Sequence, residues 1–502
     1  MRGRTDNLAW VDEFIANVRP YVRVRAEDNL LIRMPNVAHK LNDQGVRVLG
    51  FLLDGGVISE LLERVGGAKV TDEPRGNRPA DGEDRTRDIA LFLWEVRRCL
   101  EGTLREDNHS CAVEVGPLPV NFTSLPVLSE VAVTSRCNLS CVFCYAGCSC
   151  LGRPGGDKGS QGDRSREEPV SPFSRMPSRG TSHPVSFREA GRRRATRNLL
   201  IEEANGGASS GDMSAADIKE VLRRIRHDAG VPSVSFTGGE PTLRDDLCEL
   251  IACARELDFR VNLITNGTRV NRRYARKLAK AGLHSAQVSL EGTSAATHDA
   301  ITRVKGSFGR SLAGVGHLKA AGIRVHTNTT LNVRNLGDAP LFPRFIKRQL
   351  GLERFSMNMI IPAGTASVTD SLLLRYSEIG PVLEEVIAAA EAADAEFMWY
   401  SPTPLCIFNP ITHGLGNKGC SACDGLLSVD ARGDVLPCSS FDEPVGNLLA
   451  DDFSAIWESG RARDLRLKSL AHQGCHDCDN FAACHGACPL YWERFGFGEL
   501  VS

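Results

Sequence analysis

Neither sign of charge dominates this 502-residue chain: 60 Lys and Arg stand against 62 Asp and Glu, a formal net charge of −2. That balance supplies no basic field for nucleic acid and no acidic excess for a solvated, unfolded chain. Long apolar runs are missing as well. No stretch approaches the roughly 18 residues of a membrane span, and the opening residues, MRGRTDNLAWVDEF, lack the apolar core of a signal peptide. The expectation is a cytoplasmic chain with no nucleic acid and no membrane among its partners. Repeats of solenoid type are absent too, and the length points to two to four domains rather than one.

What the chain has in excess is cysteine, 17 in all. In a reducing compartment, closely spaced thiols point to metal rather than to disulfides. Eleven fall in short-spaced groups: Cys137, Cys141 and Cys144; then Cys406, Cys420, Cys423 and Cys438; then Cys475, Cys478, Cys484 and Cys488. Cys99, Cys111, Cys248 and Cys253 sit apart and read as small buried hydrophobes. Cys148 and Cys150 stay unassigned.

Hydrophobic rhythm divides the chain. Residues 18–66 pass from extended β-branched alternation into helical spacing at Val46, Leu49, Leu53, Ile58, Leu61, Leu62 and Val65. A polar loop over 72–84 precedes a helical face at Ile89, Phe92, Leu93, Val96 and Leu100, which predicts a small α+β domain, winged-helix-like, over 1–105. From 125 to 370 strand and helix signals alternate. Strands are predicted at 130–135, 232–237, 259–265, 285–290, 324–331 and 354–361, and helices at 214–228, 245–257, 271–281, 309–321 and 340–350. Six such units imply an α/β fold, a partial (β/α)6 TIM-type barrel with its chemistry at the C-terminal strand ends. Residues 151–212, rich in Gly, Ser, Arg and Pro, read as a disordered insert. Residues 371–400 read as a linking helix, and 401–502 as a cysteine-rich, cluster-binding extension.

The first thiol group follows the first barrel strand as Cys137-Asn-Leu-Ser-Cys141-Val-Phe-Cys144. Three thiolates on one tight loop suit three irons of a [4Fe–4S] cube and leave its fourth iron open. A structural zinc site remains the alternative, with Cys148 or Cys150 as its fourth ligand. The second strand ends Thr237-Gly238-Gly239-Glu240-Pro241, where paired glycines let a ligand lie against backbone. Together, Cys-x3-Cys-x2-Cys, Phe143 before the third cysteine and Gly-Gly-Glu-Pro resemble the radical S-adenosylmethionine (SAM) enzymes.

The resemblance implies that Cys137, Cys141 and Cys144 hold a catalytic [4Fe–4S] cluster whose open iron binds the amino and carboxylate groups of SAM. It places Phe143 beside the adenine, and Gly238, Gly239 and Glu240 on the loop meeting the methionyl amino group. Asn266, Ser289 and Glu291 fall where the family makes polar contacts to ribose and methionine. Arg303 resembles the basic partner of the SAM carboxylate. The turn at Pro362-Ala363-Gly364 looks like the family's turn after the sixth strand. The implied activity is reductive cleavage of SAM to a 5′-deoxyadenosyl radical that takes a hydrogen atom from substrate.

After residue 400 the spacing reads Cys423-x9-Gly433-x4-Cys438, then Cys475-x2-Cys478-x5-Cys484-x3-Cys488, with a hairpin signal around Gly433. This resembles the SPASM extension of radical SAM enzymes through its first six cysteines and implies two auxiliary [4Fe–4S] clusters. The family pattern has one further cysteine, and none follows Cys488 here. One division gives Cys420, Cys423, Cys438 and Cys488 to one cluster, and Cys475, Cys478 and Cys484 with Cys406 to the other. Alternatively the second cluster keeps an open iron. In sulfatase-maturing relatives a carboxylate follows the cysteine matching Cys438, whereas here Ser439 follows, which leaves the catalytic base unassigned.

The N-terminal hairpin, the turns LNDQG (41–45) and LLDGG (52–56) and the closing helix together resemble the PqqD-like peptide-recognition domain found beside peptide-modifying enzymes. The resemblance implies a ribosomally made peptide as substrate, bound by β-augmentation, and a low-potential electron donor such as ferredoxin or flavodoxin. The alternatives are a radical SAM enzyme acting on a small molecule such as a tetrapyrrole or cofactor precursor, and a non-catalytic iron–sulfur electron carrier.

Overall fold

The structure, a computed structural model, describes residues 8–34, 37–66, 81–100, 115–117, 125–147, 149–150 and 211–500. It divides into two compact units, 1–128 and 129–502. Cys111, Cys148 and nearly all of the 151–212 insert lie outside the described residues.

The first unit opens with a helix that the sequence reading lacks, α1 (Val11–Val18), followed by strands β1 (Val22–Arg25), β2 (Leu30–Arg33) and β3 (Val37–Leu41). These pair antiparallel, and the short β4 (Val115–Pro117) joins β3, leaving β1 and β4 at the sheet edges. Asn42 caps α2 (Asp43–Leu53) by accepting from the Gly45 amide at 2.8 Å. The Asp54-Gly55 turn, with Gly55 at φ +108°, separates α2 from α3 (Ile58–Gly66). The long α4 (Asp81–Leu100) completes the core, in which Val11, Ile15, Leu31, Leu49, Phe92, Leu93 and Val96 pack together. Arg25 is buried on β1. It pairs with Asp28 through two bonds of 2.6–2.7 Å and donates to the Leu125 and Pro126 carbonyls, so the charge lies in a site that satisfies it.

The second unit is built on one sheet. Strands β5 (Leu128–Ala132), β8 (Ser233–Thr237), β9 (Arg260–Thr265), β10 (Ser285–Ser289), β11 (Arg324–Leu331) and β12 (Arg354–Met359) run parallel in that order. Between β5 and β8 lie the two-residue strands β6 (Arg136–Cys137) and β7 (Ser149–Cys150), which pair with each other, and then α5 (Ala215–His227). The later crossovers carry α6 (Leu247–Glu256), α7 (Arg272–Lys280), α8 (Ala295–Thr302), α9 (Ser307–Ala320) and α10 (Phe342–Phe345). Segment α8 escapes the periodicity because the apolar residues of AATHDAIT are mostly alanine and form no stripe, and it buries only His298, Ile301 and Thr302.

Two features differ from the expectation. The region read as a linking helix holds α11 (Tyr376–Ala393), and it continues into β13 (Glu396–Trp399), which pairs parallel with β12 as a seventh strand. The extension does not stand apart either: its hairpin β14 (Leu426–Val429) and β15 (Asp434–Leu436), with β16 (Gly446–Asn447), continues the sheet beyond β5. Strand pairing over such distances leaves no mark on local pattern.

The two faces of this sheet differ. Val234, Phe236, Val261, Leu263, Ala286, Val288, Phe355 and Met357 are fully buried. The alternate residues Asn262, Ser285, Gln287, His326, Asn328 and Asn358 are half-buried and bond to one another across strands: Ser285 to Asn262 at 2.8 Å, His326 to Gln287 at 3.1 Å, and Asn328 to Asn358 at 2.7 Å. The inner face is therefore a polar surface already satisfied, carried by strands whose C-terminal ends support the cysteine loop.

Candidate functional site

The loop after β5 is held at almost every residue. Asp212 accepts from Thr134 Oγ1, the Ser135 amide and Ser135 Oγ at 2.5–2.9 Å. This corrects the insert boundary: Asp212 was placed inside the disordered segment, yet it anchors the cysteine loop. The Gly239 amide donates to the Thr134 carbonyl and the Glu240 amide to the Arg136 carbonyl, both at 2.8 Å. From the other side, the amides of Ser140 and Val142 donate at 3.0 Å to the Thr302 and Ile301 carbonyls at the end of α8, which helix geometry leaves without partners. The Thr365 amide donates to the Cys144 carbonyl at 2.9 Å.

This explains the glycines differently from the sequence reading. A Cβ on Gly239 would stand 2.1 Å from the Arg136 carbonyl oxygen, and one on Gly238, whose φ is +131°, 2.3 Å from that of Thr134. The pair is needed because the cysteine loop lies against it. Gly364, at φ +55°, packs likewise, 2.2 Å from the Cys144 carbonyl by the same measure. The turn after β12 is thus a seat for the third cysteine.

Cys137, Cys141 and Cys144 are half-buried together. Burial, the Glu291 carboxyl and the Cys144 and Cys137 thiols push the Cys141 thiol well above its ordinary range, and the Leu139 amide points at the Cys137 sulfur, 3.4 Å away. The backbone of Cys150 pairs with that of Cys137. Among the described residues no three His, Cys, Asp or Glu side chains close around a point where one ion could sit. Three thiols on one loop are a donor set suited to a cluster that takes each thiolate on a separate iron.

The other candidates take distinct positions. Glu240 is fully buried, and both of its oxygens are occupied: Oε1 accepts from the Thr242 amide and hydroxyl and from Thr265 Oγ1, and Oε2 accepts from the Asn266 amide at 2.7 Å. It is a strut between the loops after β8 and β9, and burial pushes its carboxyl up. Asn266 continues the strut, donating to Asn138 Oδ1 inside the cysteine loop at 2.9 Å. Glu291 is buried with the Thr330 amide as donor, and burial lifts it to about 8. Its amide donates to His298 Nδ1 at 3.0 Å. Phe143 and Ser289 are half-buried, on the cysteine loop and at the end of β10. Arg303 ends α8 in the left-handed conformation, exposed, directly after the carbonyls that hold the loop.

The eight C-terminal thiols fall into two groups. Burial raises Cys438, with Cys420, Cys488 and Glu130 next; Cys488 is pushed up to about 12 by burial, then Cys420. Cys423, at φ 48°, is pushed up to about 12 by burial, with Cys420 a lesser neighbour. Cys475 is raised by burial and then by Cys484, Cys406 and Cys478. The thiols read as small buried hydrophobes behave unequally: Cys99 is buried, whereas Cys248 and Cys253 on α6 are only half-buried.

Sequence reasoning missed Glu130. This half-buried carboxylate on β5 accepts from Ser428 Oγ at 2.7 Å and is faced by the Ser439 hydroxyl and amide, tying the first barrel strand to the residue after Cys438. A charge inside the strand run EVAVTS was the available signal.

Residues 131–341 match the radical SAM superfamily, and residues 420–479 match SPASM, an iron–sulfur cluster-binding domain. An AdoMet-dependent heme synthase of Nitratidesulfovibrio vulgaris is 26% identical over 299 residues, 57% of this chain and 81% of that protein. The mycofactocin maturase MftC of Mycobacterium ulcerans is 26% identical over 292 residues, 57% of this chain and 77% of that one. Among solved structures, SuiB of Streptococcus suis bound to its precursor peptide SuiA has a TM-score of 0.57 at 15% identity, covering 94% of this chain and 95% of that one, a likeness of fold.

Proposed function

From the premise that the chain is a radical SAM enzyme with a C-terminal SPASM domain, we propose that it modifies a ribosomally made peptide or protein by hydrogen abstraction. A catalytic [4Fe–4S] cluster and SAM, when bound, supply the 5′-deoxyadenosyl radical. The residues of this chain do the rest. Cys137, Cys141 and Cys144 hold the cluster, and the exposed Arg303 beside their loop pairs with the SAM carboxylate. Phe143, Ser289, Glu291 and the backbone of Gly238 and Gly239 line the remaining contacts, while the Glu240 carboxylate and Asn266 position the loops. The C-terminal thiols carry the auxiliary clusters, and a ferredoxin or flavodoxin supplies electrons.

The observation that carries the peptide reading is the N-terminal unit. Its antiparallel sheet ends in β1, with no strand on the outer edge of β1 among the described residues, and an open edge is what an extended peptide pairs with. The SuiB fold likeness spans 94% of this chain, and so it takes in most of this unit. The polar inner face of the sheet, whose amides and hydroxyls bond to one another, suits an uncharged polar guest. A second reading, chemistry on a tetrapyrrole, is favoured by the likeness to the heme synthase, which extends over 81% of that protein.

The test is anaerobic incubation of the reconstituted protein with dithionite, SAM and deuterated candidates. Release of 5′-deoxyadenosine with deuterium taken from a precursor peptide supports the proposal. Deuterium taken only from an iron-coproporphyrin moves the assignment to the second reading, and no 5′-deoxyadenosine under any condition overturns both.

A further inference from the structure

Three thiols, Cys475, Cys478 and Cys484, lie in one short run and would leave a four-iron cube with one iron unligated. The structure brings a fourth to them from 69 residues upstream of Cys475. Just past β13, the Leu405 amide points at the Cys484 sulfur, 3.4 Å away, which places the adjoining Cys406 against this group. The electrostatics agree from both sides: Cys406 is exposed on its outer side, its thiol is raised by partial burial and then by Cys484 and Cys478, and Cys475 feels Cys406 among its neighbours. Cys420, Cys423, Cys438 and Cys488 instead face one another.

We propose that Cys406 closes the second C-terminal site as its fourth thiolate, so that this cluster offers no open iron to substrate. On binding, the thiol releases its proton and forms one Fe–S bond, with no change in oxidation state. Both auxiliary clusters are then confined to moving electrons, and the substrate meets only the radical. The proposal rests on the cluster reading of the C-terminal thiols.

The experiment uses the full chain with Cys137, Cys141 and Cys144 replaced by alanine, so that only C-terminal iron remains, reconstituted anaerobically. About eight irons, from two four-iron clusters, are expected in this parent; iron near zero, or zinc in its place, overturns the cluster reading itself. Adding Cys406→Ala should remove about four irons or convert one cluster to a three-iron form with its own EPR signal. Cys406→Ser, an oxygen ligand, should retain the iron with a shifted EPR signal, whereas Cys248→Ala should change neither. Unchanged iron and an unchanged EPR spectrum in Cys406→Ala overturn the proposal. If Cys406→Ala loses all iron, Cys406→Ser decides, because a spectrum identical to the parent's refutes ligation. A parent whose spectrum changes on adding cyanide refutes it too, since that would report an open iron.

Discussion

The two thiol-bearing regions are held in different ways. Cys137, Cys141 and Cys144 lie within eight residues on a loop bonded through backbone to the ends of β8, α8 and β12 and clamped by Asp212. The C-terminal thiols are drawn from 406 to 488 and lie mostly in turns and loops, only Cys475 and Cys484 on short helices, with Cys423, His485 and Ala487 in the left-handed conformation. One of their protein anchors is aromatic: the Tyr376 ring lies tilted against Tyr491 at 3.9 Å, and its hydroxyl accepts from the Cys488 amide at 3.3 Å. The first region is shaped before any cluster arrives. In the second, Cys420, Cys423 and Cys488 are packed in the core while Cys406 and Cys478 are exposed, and at the exposed group the expectation is that cluster binding free energy becomes folding free energy.

The sharpest break of this comparison is by function. Cys141→Ala should abolish 5′-deoxyadenosine release, while Cys478→Ala should leave measurable uncoupled SAM cleavage and lose substrate turnover; equal loss in both would mean the regions are not separable. Next is removal of all iron by an oxidant and chelator. The stripped protein should be cut by protease within residues 401–500 while the barrel strands keep slow amide exchange. Cuts falling first around 136–144 would reverse the comparison. A substitution at the loop's seat comes third: Gly239→Ala drives a methyl into the Arg136 carbonyl and should cost about 3 kcal/mol, read from denaturant midpoints. In the C-terminal region, Lys468 is buried, bonded to the Cys420 carbonyl at 2.8 Å and paired with Asp424 at 2.7 Å. Lys468→Met strands that carboxylate and should cost a similar ~3 kcal/mol in the stripped protein.

How much of this could be read in advance follows the range of the interactions. The strands around Ser235, Asn262 and Gln287 show plain alternation, and the crossover helices other than α8 show helical periodicity, so the parallel sheet was legible. The thiol spacings were legible because a loop motif is local. The parallel pairing of β13 with β12 and the placement of the hairpin beside β5 were not, since partners of a strand are chosen across the fold. Asp212 and Glu130 were hidden for the same reason: each acts on residues roughly 80 to 300 positions away in sequence. The Gly-Gly pair was found but its cause was not. A sequence marks the need for a small residue and does not say whether a ligand or a neighbouring carbonyl demands it.

The smallest expected effect tests that distinction at Glu240. In Glu240→Gln one acceptor must become an amide NH2. The Oε1 position accepts from three donors and Oε2 from the Asn266 amide, so the glutamine oxygen will take the first site and turn its NH2 toward another N–H. A buried bond is lost and two donors face each other, at a cost of about 2 kcal/mol. Because Asn266 also bonds Asn138, the strain passes to the cysteine loop. The KM for SAM should rise while total iron stays the same. Weaker SAM binding with an unchanged denaturant midpoint would show instead that the carboxylate touches the ligand directly, and the loops on either side would then be held by their glycines alone.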